Sequence, residues 1–244
     1  MVIAGMRSSK KYYLPDHVGF FSANSSESLA IDLGQNINEV LNEAIKKRGR
    51  ASIAVSGGRT PKPLFEELSN LNLDWSKVDL TLVDDRWVDS DSEDSNELLV
   101  KTHLIKNKAA GVNFFPLKND ANTAKEGAIS IEKSLETLSM PLDIVILGMG
   151  QDGHTASLFP CSEELSIGMD LNTKNILISS NPKTAPYERI SLTAKSIMSA
   201  RKVFLHLNGS SKLHTLEEAM NLSDFNKMPI YAFLMHGLDI FWSP

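Results

Sequence analysis

The sequence predicts an α/β protein, a single doubly wound three-layer α/β/α domain spanning residues 1–244 around a mostly parallel sheet. Short apolar runs of strand length, such as Ala51–Val55, Ile144–Leu147 and residues 203–207, alternate with longer stretches of helical periodicity. Several of these runs stop abruptly at glycine-rich turns, as the carboxyl ends of buried parallel strands do. No shift of composition marks a linker, and the acidic stretch 89–94 is too short to be one.

Residues 1–24 mix Tyr12, Tyr13, Phe20 and Phe21 with polar residues and read as an edge strand or an arm. From 25 to 48, Leu29, Leu33, Ile37, Leu41, Ala44 and Ile45 recur at helical spacing. Asn24 and Glu27 resemble a capping box at its start, and Lys46, Lys47, Arg48 and Gly49 suit its carboxyl end. The strand at 51–55 breaks at Ser56-Gly57-Gly58-Arg59-Thr60-Pro61, where Thr60 is expected to cap a helix carrying Leu64, Phe65 and Leu68. A strand at 79–83 delivers Asp84, Asp85 and Arg86, and a helix resumes over 96–105. Further on, the pattern gives a short strand at Phe114 and Phe115, a helix over 121–138, and the strand at 144–147. Residues 161–172 read as loop or short helix and 175–179 as a strand. Pro182 and Pro186 bracket an extended loop leading through Arg189 into residues 190–193. The strand at 203–207 turns through Gly209 into a helix near Lys212, and segments 229–234 and 238–242 close the sheet.

Composition narrows the function classes. With 42% hydrophobic and 23% charged residues the chain is an ordinary globular one. Its 25 Lys and Arg against 30 Asp and Glu give a net charge of −5, which argues against broad nucleic-acid binding, so an anionic ligand requires a local cationic pocket. Cys161 is the only cysteine, so an internal disulfide and a cysteine-based zinc site are both ruled out. Arg7, Lys10 and Lys11 are not followed by the apolar stretch of a signal peptide, and no apolar run approaches the ~20 residues of a membrane span. The expectation is a cytoplasmic protein without membrane attachment, a monomer or a homodimer.

The chemistry-bearing residues gather at the ends of successive strands. Ser56, Gly57, Gly58, Arg59 and Thr60 form a glycine loop feeding a helix, where exposed backbone N–H groups and an absent side chain let an anion approach closely. The lysine-containing P-loop pattern and the dinucleotide fingerprint are both absent, so no nucleotide cofactor is implied. Asp84 and Arg86 come next, then Asp152 and His154 in a turn carrying Gly148, Gly150 and Gly153, then Arg189, then Lys212. In an open α/β sheet ligands bind beyond the carboxyl ends of the strands, so these groups can converge on one anionic small molecule, with a phosphate the natural match for N–H groups and guanidinium forks. His154 is left for acid–base work, and either Asp84 or Asp152 can orient it. Read singly, each motif has a plainer meaning: a tight turn, a solvated charge cluster, a histidine cap.

Val55-Ser-Gly-Gly-Arg-Thr-Pro61, Val83-Asp-Asp-Arg-Trp-Val88 with Ser95-Asn96 following, and Leu147-Gly-Met-Gly-Gln-Asp-Gly-His-Thr-Ala-Ser-Leu-Phe-Pro160, in that order, resemble the 6-phosphogluconolactonase family. The third motif is the most specific of the three, and residues 186–193 and 209–212 add weaker likeness. The resemblance implies a modified Rossmann-type fold shared with glucosamine-6-phosphate deaminases, no metal or other cofactor, and hydrolysis of a phosphorylated sugar lactone. It implies His154 as general base, with the Ser56 to Thr60 loop, Arg86, Arg189 and Lys212 holding phosphate and ring hydroxyls. The Gly148 to Gly153 turn is expected to offer N–H donors to the oxyanion. Asp85 and Cys161 depart from the pattern, where glutamate and glycine are usual, and neither is carried over as a site residue. Two other functions fit less well. A deaminase of the same fold has a glutamate where this chain has Phe159, and a sugar-phosphate sensor has no use for His154 beside Asp152. A serine or cysteine hydrolase lacks its motif around Ser56 or Cys161.

Overall fold

The computed structural model describes residues 14–244, so Arg7, Lys10, Lys11, Tyr12 and Tyr13 lie outside the described residues. Seven strands form one wholly parallel sheet: β1 (Gly19–Ser22), β2 (Ala51–Val55), β3 (Val78–Leu82), β5 (Asn113–Phe115), β6 (Ile144–Leu147), β9 (Lys202–Asn208) and β10 (Asp239–Ser243). Their spatial order is β1-β10-β9-β6-β2-β3-β5. Strands β4 (Asp84–Arg86), β7 (Leu177–Ser180) and β8 (Arg189–Leu192) make a separate antiparallel sheet in the order β4-β8-β7. The helices are α1 (Ser26–Arg48), α2 (Lys62–Ser69), α3 (Asn96–His103), α4 (Ala124–Leu135), α5 (Leu165–Gly168), α6 (Ala194–Met198), α7 (Ser210–Leu222) and α8 (Ile230–His236). They flank the parallel sheet in the three-layer arrangement that the alternating pattern predicted.

Strands β2, β3 and β6 are buried along their whole length; β6 accordingly reads as a continuous apolar run, whereas β2 carries Ser52 and β3 carries Asp79 and Thr81, each hydrogen-bonded where it is buried. From β2 the chain winds outward through β3 and β5, then returns to place β6 on the other side of β2. Strand order therefore reverses between β2 and β6, and their carboxyl ends flank the crevice where such sheets bind ligands.

The small sheet is the main departure from expectation. Asp84, Asp85 and Arg86 do not form a turn at a strand end. After Val83, whose amide donates to Val55 O at 2.9 Å, the chain leaves the main sheet and pairs antiparallel with Arg189, Ile190 and Ser191. Two caps also differ. Ser25 rather than Asn24 caps α1, its Oγ accepting from Ser28 N at 3.2 Å, while Glu27 accepts from Ser26 Oγ instead of reaching back. Pro61, already in a right-handed helical conformation, opens α2 and leaves no capping role for Thr60. Gly49 does end α1 as expected, with φ of 80° and its N–H on Ile45 O at 2.8 Å.

At the opposite end of the sheet, Asp143 is 1% exposed. It accepts from Ser52 N at 3.0 Å, from Arg201 Nε at 3.2 Å and from Arg48, tying β2, β6, α1 and the start of β9 together. Asp143→Ala leaves the buried Ser52 amide without its acceptor, so folding stability should fall by about 1–3 kcal/mol, read from the shift of the urea midpoint.

Candidate active site

A cleft of about 250 Å³ opens beyond the carboxyl ends of β2, β6 and β9. Ser56, Gly57, Gly58, Arg59 and Thr60 line it, as do Asp84, Arg86, His154, Arg189 and Lys212. Asp152 is the one candidate that does not; it stands behind His154.

The loop after β2 forms one wall. Among the described residues, the amides of Gly57, Gly58, Arg59 and Thr60 donate to no protein acceptor, so four consecutive N–H groups remain available at the cleft. Gly58 adopts φ of 95°, a conformation glycine enters freely. A Cβ on Gly57 would lie 1.8 Å from Asn96 Oδ1. Asn96, which follows the Val83–Val88 motif in the sequence and opens α3, is a site neighbour. Its Nδ2 donates to Asp84 O at 2.7 Å and its Oδ1 accepts from Arg86 Nη1 at 3.3 Å, joining the glycine loop, β4 and α3.

The small sheet supplies the opposite wall. Asp84 accepts from Ser157 Oγ at 2.5 Å. Asp85 faces away and caps α3, accepting from the amides of Asn96 (2.7 Å) and Glu97 (3.1 Å). Burial pushes its carboxyl up to about 6 against the pull of those amides. Arg189 is 6% exposed, donates through Nη2 to Pro186 O at 2.9 Å, and has a buried Nε with no protein partner. Burial and then the nearby Arg86 charge hold its pKa below the usual guanidinium value. Lys212 donates to Met149 O at 2.6 Å, and burial likewise lowers its ammonium. Cations thus sit in a desolvated setting, where an arriving dianion would relieve both their mutual repulsion and the unmet Nε donor.

The turn after β6 holds His154. Its Nδ1 lies 2.5 Å from Asp152 Oδ1, and its own backbone N–H donates to the same oxygen at 3.2 Å. Burial raises the Asp152 carboxyl, but the hydrogen bond and charge of His154 outweigh it, and the net pKa is below the ordinary value. An ionised carboxylate at Nδ1 keeps the proton there and leaves the Nε2 lone pair free. A Cβ on Gly150 would fall 2.2 Å from the His154 ring, so the imidazole occupies space that only glycine leaves open. The glycine amides themselves are engaged: Gly148 N with Ser56 Oγ, Gly150 N with His154 O and Gly153 N with Gly150 O. These three are committed within the fold rather than offered to a ligand.

A family model described as glucosamine-6-phosphate isomerases/6-phosphogluconolactonase matches residues 24–242. A 6-phosphogluconolactonase of Pseudomonas putida is 38% identical over 231 residues, 95% of both chains. One from Rhizobium meliloti is 42% identical over 222 residues, covering 90% of this chain and 94% of the relative. The crystal structure of a 6-phosphogluconolactonase from Shewanella baltica superposes with a TM-score of 0.91 at 42% identity, over 95% of this chain and all of that one.

His206, on the cleft wall in β9, was missed, because a histidine inside an apolar strand gives no local signal. It is 4% exposed, neither ring nitrogen has a protein partner, and burial lowers its pKa from 6.5 to about 4. The folded state therefore favours neutral imidazole, so the stability associated with it is present above pH 6.5 and is lost as pH falls toward 4. His206→Phe should be at least as stable as the parent at pH 7, since no hydrogen bond is broken, and should gain on it progressively below pH 6.5 in thermal melts across that range.

Proposed function

Because the chain belongs to the glucosamine-6-phosphate isomerase/6-phosphogluconolactonase family, we propose that it hydrolyses 6-phosphogluconolactone to 6-phosphogluconate, a step of the oxidative pentose phosphate pathway. The observation that carries this reading is the Asp152–His154 pair, with Nδ1 tethered at 2.5 Å, on the wall of a cation-ringed cleft.

The phosphate is held by the free amides of the Gly57 to Thr60 loop together with Arg59, Arg86, Arg189 and Lys212. This fixes the lactone carbonyl against His154, so that much of the catalytic task is orientation. His154 Nε2 takes a proton from water as the water oxygen bonds to the carbonyl carbon, and Asp152 stabilises the resulting imidazolium. As the tetrahedral intermediate collapses, the bond to the ring oxygen breaks and His154 returns the proton to that oxygen. The new carboxylic acid then ionises. No step requires a metal ligand or a redox group from this chain. Asp84, bonded to Ser157, supports the wall rather than orienting His154.

Phe159 separates this reading from deamination on the same fold, because the resemblance places the ring-opening glutamate of the deaminases at that position. Release of ammonia from glucosamine 6-phosphate by the pure protein would overturn the assignment.

Two variants test it with freshly generated lactone and subtraction of spontaneous hydrolysis. His154→Ala should lower kcat by ~10²–10⁴-fold while the phosphosugar still binds. Gly150→Ala, which drives the imidazole from its place, should lower kcat by roughly 10²-fold with KM little changed. Near-normal turnover in His154→Ala would remove His154 as the base.

A further inference from the structure

Phe159 is 4% exposed, yet it does not join the contiguous apolar core that contains its neighbour Leu158. Its ring bears instead on two charged or titratable groups. The His154 imidazole stacks on it with centroids 4.0 Å apart and planes 28° from parallel, and the Arg189 guanidinium carbon lies over the ring 5.8 Å from its centre. Burying an aromatic ring outside the core, against a histidine and an arginine, is a poor use of its hydrophobic surface if stability is its only role.

The imidazole is restrained on three sides. Asp152 holds Nδ1, the bare Cα of Gly150 leaves room for the ring, and Phe159 covers a face. Rotation about Cβ–Cγ is the freedom that the Asp152 bond alone would resist only weakly, and a stacked aromatic blocks it. Among the described residues, the Arg189 side chain makes one hydrogen bond, to Pro186 O, and its buried Nε has no partner, so its head is only partly fixed by hydrogen bonds. The ring offers the guanidinium a π surface within the ~6 Å reach of a cation–π contact.

We propose that Phe159 is a positioning residue for His154 and a spacer between it and Arg189: its ring fixes the imidazole plane that aims Nε2 into the cleft and gives the guanidinium a resting surface other than the imidazole. The proposal rests on the reading of His154 as the base. Phe159→Leu keeps an apolar side chain of similar reach but removes the flat face, whereas Phe159→Tyr keeps the ring. Leucine should lower kcat by about tenfold or more with KM within about twofold, and tyrosine should restore kcat to within about threefold of the parent. In ¹⁵N spectra of the intact protein, the His154 ring should show one nitrogen strongly protonated in the parent and in Phe159→Tyr, and averaged nitrogens in Phe159→Leu. Equal kcat in the parent and Phe159→Leu, a tyrosine variant no better than leucine, or unchanged His154 resonances in a folded leucine variant would overturn it. A parent protein that fails to hydrolyse the lactone would count against the proposed function alone, since the ¹⁵N signature reads the positioning of His154 without turnover.

Discussion

Ser56 is the stitch on which the cleft depends. Its amide donates to Ile146 O at 3.0 Å, continuing the β2–β6 ladder one residue past the end of β2, and its hydroxyl accepts from Gly148 N at 3.3 Å. Two loops that diverge where strand order reverses are thereby held side by side, one presenting amides and the other presenting His154. Everything that needs both ends of a substrate gripped at once depends on that adjacency, because a loop moved by about 1 Å loses most of the advantage of orientation.

The cleft also concentrates unfavourable electrostatics that the rest of the fold must absorb. Arg189 is buried close to Arg86 with an unmet Nε, Lys212 is partly desolvated, and His206 is a neutral imidazole without a partner. In a protein whose net charge is −5, collecting cations in one place costs stability, and the far end of the sheet shows the opposite arrangement. There buried Asp143 and Asp79 are matched to Arg48, Arg201 and Arg50, with hydrogen bonds on both carboxylates. One pole is built for satisfied ions and the other for ions awaiting a ligand, the division expected where stability and function compete.

Much of this was legible in the sequence, and for identifiable reasons. Buried strands such as Ile144–Leu147 announce themselves as apolar runs, and the glycines that end them mark where backbone must come close to something. Arg59 and Lys212 were readable because each follows a strand of the parallel sheet, which sends such positions to one edge, whereas Arg86 and Arg189 reach the cleft as paired residues of the small antiparallel sheet. The small sheet was not readable: Asp84–Arg86 is three polar residues long and its partner lies a hundred residues away, so neither periodicity nor local composition could show the pairing. Asp85 as a cap for α3, and Asn96 as the link between loops, are likewise tertiary facts. The one-residue slips at Asn24 and Thr60 have simpler causes: Ser25 offers the same kind of capping oxygen as Asn24, and Pro61, whose fixed φ suits a helix start, takes the first position of α2 with no side-chain cap.

The contact between Gly57 and Asn96 carries a consequence for how this sequence can diverge. Position 57 is closed to side chains by Asn96, whose amide must stay in place to hold Asp84 and Arg86. Neither residue can change alone without disturbing two walls of the cleft, so the pair should behave epistatically, with substitutions at 57 tolerated only in chains whose residue 96 is shorter and whose arginine has found another anchor.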